Sequence, residues 1–155
     1  MKGQIAILSV LGLCYLCAPL NVSAQNVETD IQNEVESEIQ PYAAGLIKSY
    51  YLSCSSGTDT IYISGRTSAT DVMAEVGFKD IKIQRSSDGK SWSTEKTLGD
   101  KLKESTTTYS LSNYALSVQG GYYYRVICTH YAKESGWFFP DTQSVENTSS
   151  YVWIA

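Results

Sequence analysis

Apolar and polar positions alternate along most of the chain beyond Leu46. In TIYIS, Ile61 and Ile63 share one side and Tyr62 takes the other. In DIKIQ, Ile81 and Ile83 alternate with Lys82 and Gln84. In YYYRVIC, Tyr124, Val126 and Cys128 alternate with Tyr123, Arg125 and Ile127. A period of two is that of a β-strand with one buried face. The strand-like runs are LIKSYYLSC, TDTIYISGRT, VGFKDIKIQRS, WSTEKTL, TTTYSLSNYALSV, GYYYRVICTHYA and SYVWIA. They are rich in Tyr, Ile, Val and Thr, which suit a pleated, half-buried surface, and Gly, Asp, Ser and Asn punctuate them. No long helical period occurs among them. About seven strands in some 110 residues predicts an all-β fold: a two-sheet antiparallel sandwich of immunoglobulin or fibronectin type III kind, with a jelly roll as the alternative.

The pattern before this region is different. Lys2 precedes an apolar run from Ile5 to Leu20, and Val22-Ser23-Ala24 offers a small-residue cleavage site. This predicts a secretory signal peptide over residues 1–24. The run is short of the roughly 20 residues that span a bilayer. Cys14 and Cys17 follow Leu13 and Leu16, where a lipobox wants a small residue. The expected mature chain is therefore secreted and extracellular, with no transmembrane segment. It has 131 residues, enough for one core.

Charge divides the mature chain again. Five of the 16 acids (Glu28, Asp30, Glu34, Glu36, Glu38) lie in residues 25–41, which hold no base. Beyond them 11 acids face 11 bases. The body, residues 42–155, is thus balanced, without the clustered basic face that nucleic acids or anionic lipids require. In the acidic leader, Val27, Ile31, Val35 and Ile39 recur every four residues, the stripe of a helix that Pro41 would end. It reads as a pro-segment or partner-binding helix, or as a solvated linker, because isolated helices of this length are marginal in water.

Two cysteines, Cys54 and Cys128, survive signal removal. An even number in an exported chain predicts a disulfide between them, which would close a loop of about 75 residues and stabilise by roughly 4 kcal/mol at most. Cys128 and His130, two apart, share a strand face and with Cys54 could supply three metal ligands. Beyond residue 24 no fourth ligand, CxxC pair or second His accompanies them, so no metal or other cofactor is expected.

The stretch SSDGKSW, residues 86–92, resembles motifs of sugar-handling proteins. It is similar to the Asp box of sialidase-type propellers, but Asp88 and Gly89 are adjacent where that motif has Asp-x-Gly, and nothing repeats as propeller blades must. It is also similar to a hairpin of discoidin-type domains. Asp88-Gly89 between two strand-like runs is a hairpin signal. The expectation is a structural turn formed by Asp88 and Gly89, with Trp92 packing across it onto Ile83 or Arg85.

Over most of Tyr42–Ala155, the succession ISGRTSAT, VGFKDIKIQRSSDGKSW, GGYYYRVICTHYAKESG and NTSSYVWI resembles an uncharacterised family of small secreted domains from Gram-positive, often gut-dwelling, bacteria. The segment GYYYRV…THYAKE carries most of it. The resemblance implies a secreted β-sandwich and transfers no catalytic residue.

Catalytic patterns are sparse. The chain has one His and no GxSxG, HExxH or phosphate-cradling Gly loop. A Ser-His-Asp set would have to use His130, and nothing selects a carboxylate pair for glycoside hydrolysis. The most suggestive surface is Trp137-Phe138-Phe139-Pro140, in KESGWFFPDTQSVENTSS between the Tyr-rich strand and the last one. Three consecutive aromatics cannot all face inward on a regular strand. Either they form an aromatic platform on an end loop, which Tyr122, Tyr123 and Tyr131 could extend, or the loop folds back and caps the core. The expected function is that of a non-catalytic binding or adhesion module. Trp137, Phe138, Phe139 and Tyr131 are its candidate ligand-binding residues, and the ligand is an extracellular glycan, peptide or surface component. A membrane-active effector masked by the acidic leader and an unrecognised hydrolase are the alternatives.

Overall fold

In the computed structural model of the protein, the described residues are Gln40, Pro41 and residues 45–155. The expected signal peptide and nearly all of the acidic leader lie outside them. Seven strands occur: β1 (Gln40–Pro41), β2 (Ile47–Gly57), β3 (Thr60–Ser86), β4 (Ser93–Ser117), β5 (Tyr122–Lys133), β6 (Thr142–Thr148) and β7 (Val152–Ile154). Among the described residues there is no helix, and so none long and apolar enough to cross a membrane. Every strand pairing is antiparallel.

The fold turns on β3, which is 27 residues long. The sequence pattern predicts two strands here, TDTIYISGRT and VGFKDIKIQRS; the backbone runs through both without a break. Likewise WSTEKTL and TTTYSLSNYALSV are parts of the 25-residue β4. The polar residues between the predicted strands hid this continuity. The first part of β3 pairs with β2 (Cys54 opposite Ile63) and with the second part of β4 (Ile61 opposite Leu116). Its second part pairs with the first part of β4 (Ile83 opposite Lys96) and with β5 (Ile83 opposite Val126). The sheet is therefore strongly curled, and the two parts of each long strand belong to opposite sides of the curl.

Bulges make the curl compatible with the alternation. Ile61, Ile63, Gly65, Thr67 and Ala69 face inward at odd positions. Uninterrupted alternation would then expose Val76 and Phe78. The irregularity between Ser68 and Met73 changes the parity, and Val76 and Phe78 become buried. A second irregularity, between Phe78 and Ile81, restores it for Ile81 and Ile83. Asp80 adopts the left-handed φ of 51° there, with its amide donating to Asp100 Oδ1 at 3.0 Å. Such extra residues bend a strand and increase its twist.

The inward residues form two clusters. The larger joins Ile61, Ile63 and Leu116 from one side to Phe78, Ile81, Ile83, Tyr124 and Val126 from the other. Each fully buried isoleucine contributes about 2 kcal/mol. Gly65 makes room for the Phe78 ring, since a Cβ there would lie 3.0 Å from Phe78 Cζ. The smaller cluster, Ile47, Ala69, Met73, Val76 and Ala132, closes one end.

Cys54 and Cys128 both belong to the larger cluster, and both are free thiols. The disulfide expected from the sequence is absent from the structure. The cysteines act here as small apolar residues, and loss of water from the buried sulfurs pushes both thiols up to about 12.

Strand β6 is a further departure from the sequence pattern, which left TQSVENT within a loop. Its residues are alternately exposed and half-buried, so no apolar run marks it. Backbone pairing to β5, from Thr142 opposite Lys133 to Thr148 opposite Ile127, holds it in place.

Candidate functional site

The loop between β5 and β6 is residues 134–141. It is closed by Lys133 pairing with Thr142 and by the Glu134 amide donating to the Asp141 carbonyl at 2.9 Å. Gly136 lies close under Pro140; a Cβ on Gly136 would be 3.4 Å from Pro140 Cβ. Between them the chain must reverse tightly, and Phe139 adopts φ 48°, a left-handed conformation uncommon for a bulky residue. The three aromatic side chains are thrust outward: Trp137 is 92 % exposed, Phe138 80 % and Phe139 95 %. They do not fold back over the core. The smaller apolar cluster already fills that end, with Ile47 and Met73 buried beneath it.

The rim around the tip carries excess negative charge. Glu134 and Asp141 flank it, Glu75 pairs with both Lys133 and Glu104, and Asp71 lies in the nearby bulge beside Val72, itself 56 % exposed. Against these carboxylates stand the ammonium groups of Lys48, Lys103 and Lys133.

Tyr131 does not extend this surface. It is buried, and the Lys79 ammonium lies 3.6 Å from its ring centroid. Tyr122 and Tyr123 are at the other end of β5. Tyr122 packs against the core, with the Arg85 guanidinium over its ring at 4.8 Å.

The SSDGKSW turn is built around one carboxylate. Asp88 Oδ1 accepts from the amides of Lys90 (2.8 Å) and Ser91 (2.7 Å) and from Ser86 Oγ (2.7 Å). Asp88 Oδ2 accepts from Ser91 Oγ at 3.1 Å. These donors, the Ser91 and Lys90 amides first, hold the carboxyl far below the usual range. Gly89 takes φ 68°. Trp92 packs neither on Ile83 nor on Arg85. Ile83 faces the core, and Trp92 lies on the outer face, where Arg125 is 4.3 Å over its ring and Tyr151 is 5.7 Å away. Arg85 instead pairs with Glu95 at 3.0 Å.

That outer face holds an aromatic group that the sequence reading missed. Tyr123 contacts Tyr151 (5.6 Å, edge-on) and Trp153 (4.8 Å, tilted), joining them to Trp92. The signal was present: Tyr151 and Trp153 are two apart, and Tyr123 was already assigned opposite the inward Tyr124. The rings meet at tilted and edge-on angles, so they clamp β7 and the β3–β4 turn onto β5 and present no flat stacking plane. A shallow open cavity of about 350 Å³ lies beyond Trp153, beside the β2–β3 turn at Thr58 and Asp59.

His130 is unavailable for catalysis. It is fully buried, and the Thr67 hydroxyl lies 2.8 Å from Nδ1. That hydroxyl donates its one proton to the Gly77 carbonyl at 2.9 Å, so it accepts from His130 Nδ1–H. Nε2 is left as an acceptor facing Asn147 Nδ2 at 3.4 Å and Cys128 Sγ at 3.9 Å. Tyr50 and Phe78 cover the ring. Burial pulls the imidazole down to about 4, so it is neutral. Among the described residues no three of His, Cys, Asp and Glu converge as metal ligands. No family model matches the chain, nor does any curated protein or solved structure.

Proposed function

We propose that the protein is a secreted, non-catalytic binding or adhesion module that meets an extracellular surface component through the Trp137–Phe139 tip. The observation that carries this reading is the near-complete exposure of three consecutive aromatic rings on a hairpin rooted in a closed core. Exposed apolar surface of this kind is uncommon unless something covers it in use. A non-catalytic role is supported by His130, which is consumed by the core network. The resemblance to small secreted domains and the signal-peptide pattern support export.

The architecture belongs to the same proposal. We place β2 with the first part of β3 and the second part of β4 in one sheet of an immunoglobulin or fibronectin type III-like sandwich. The second part of β3, the first part of β4, β5 and the collinear β6 and β7 form the other. The pairing registers support this arrangement over a jelly roll.

Replacing Trp137 and Phe139 with Ala should abolish binding to intact cells, cell-wall fragments or glycan arrays while leaving the β-rich circular dichroism spectrum unchanged. Binding that survives the double substitution, or no binding by the unaltered protein to any of these surfaces, would refute the module reading.

A further inference from the structure

We infer that the Trp137–Phe139 tip is an interfacial anchor for a zwitterionic, phosphatidylcholine-type bilayer. The inference rests on the reading of this loop as the contact surface and names what it contacts. Shape comes first. Pockets for sugars and other small ligands are concave and enclose most of the ligand. Rings exposed by 92, 80 and 95 % have no walls around them; the tip is convex. A convex tip buries all three rings at once only in a medium that deforms around it, as the boundary between headgroups and acyl chains does. Tryptophan and other aromatic rings favour that depth.

Charge then selects the lipid. Carboxylates outnumber ammonium groups on the rim, with Glu134 and Asp141 at the base of the loop and Glu75 paired with Glu104. Such a rim is repelled by anionic headgroups. It attracts the outward quaternary ammonium of choline, a cation that also binds aromatic faces. Val72, in the bulge three residues before Glu75, adds a second apolar contact at the same end.

The test is flotation of the full chain with vesicles of phosphatidylcholine alone and of phosphatidylcholine mixed with phosphatidylglycerol. The unaltered protein should float with the first and float less with the second, and raised salt should narrow the difference between the two. Trp137→Ser with Phe138→Ser should lower the bound fraction roughly tenfold or more, given the apolar area removed. Phe139→Gly serves as the second variant: it removes a ring and at the same time relieves the left-handed backbone, so lost binding cannot be blamed on a damaged fold. Absence of flotation with phosphatidylcholine, equal flotation of the variants, or stronger binding to the anionic mixture would overturn the inference. If vesicles fail but loop-dependent binding to cells or glycans persists, only the bilayer assignment falls; if both fail, the module reading falls with it.

Discussion

The Thr67 hydroxyl and His130 Nδ1 lie 2.8 Å apart, joining the first part of β3 to β5 across the interior. The same hydroxyl donates to the Gly77 carbonyl in the second part of β3. One side chain thus ties together three segments that meet only because the sheet curls. Among the described residues no buried side-chain polar atom lacks a partner, so this network is closed. Thr67→Val keeps the shape but leaves His130 Nδ1–H and the Gly77 carbonyl without that partner. The expected cost is about 2–3 kcal/mol, read from urea unfolding. A cost near zero would mean that the network contributes nothing.

Acid should weaken the fold before any carboxylate with an ordinary pKa titrates. His130 titrates near 4 when folded and near 6.5 when unfolded, so the unfolded chain takes up the proton first. Stability is complete above about pH 6.5 and falls as pH drops toward 4, by about 3 kcal/mol in all. Below that, Asp88 adds to the loss, because its folded pKa is depressed. The measurement is the urea midpoint across pH 4–7, with loss of the decline in His130→Gln as the check.

The two thiols give the opposite arm. Burial lifts their folded pKa from an ordinary thiol's 9.0 to about 12, so stability present below pH 9 is lost as pH rises through that interval. Buried and neutral, Cys54 and Cys128 should resist a thiol reagent in the native protein and react promptly in urea. A chain beginning at Gln25, and so without Cys14 and Cys17, should then release two equivalents. None released in urea without reductant would restore the disulfide.

Asp88→Ala removes the acceptor that organises four donors in the β3–β4 turn. The thermal midpoint should fall, and surface binding by the Trp137–Phe139 loop should be unchanged. Loss of binding in a variant that stays folded would make SSDGKSW a site after all.

The strand faces were legible in the sequence. Ile61 with Ile63, Ile81 with Ile83, and Tyr124 with Val126 and Cys128 are buried as their alternation requires. The Asp88-Gly89 turn was legible too, because its chemistry is confined to six consecutive residues. Trp137–Phe139 stood out, but whether the rings pointed out or plugged the core depended on Ile47 and Met73, which are distant along the chain. Strand β6 was hidden because its side chains carry little apolar signal and its pairing is made by backbone. The free thiols were misjudged because pairing depends on where two distant sulfurs are brought, and spacing along the chain does not encode that.

Residue order alone specifies what is local: an all-β body, the inward side of each strand, one turn, and a charge-balanced body behind an acidic segment. These follow from a period of two, from single-residue φ preferences and from counting charges. The tertiary structure decided what depends on parity and distance. Bulges in β3 let one strand serve both sides of the core, Thr67 closes on His130, and the β5–β6 hairpin carries its aromatic tip clear of an end already filled. Alternation says which side of a strand is buried; it is silent on how far the strand runs, where it bends and what it meets.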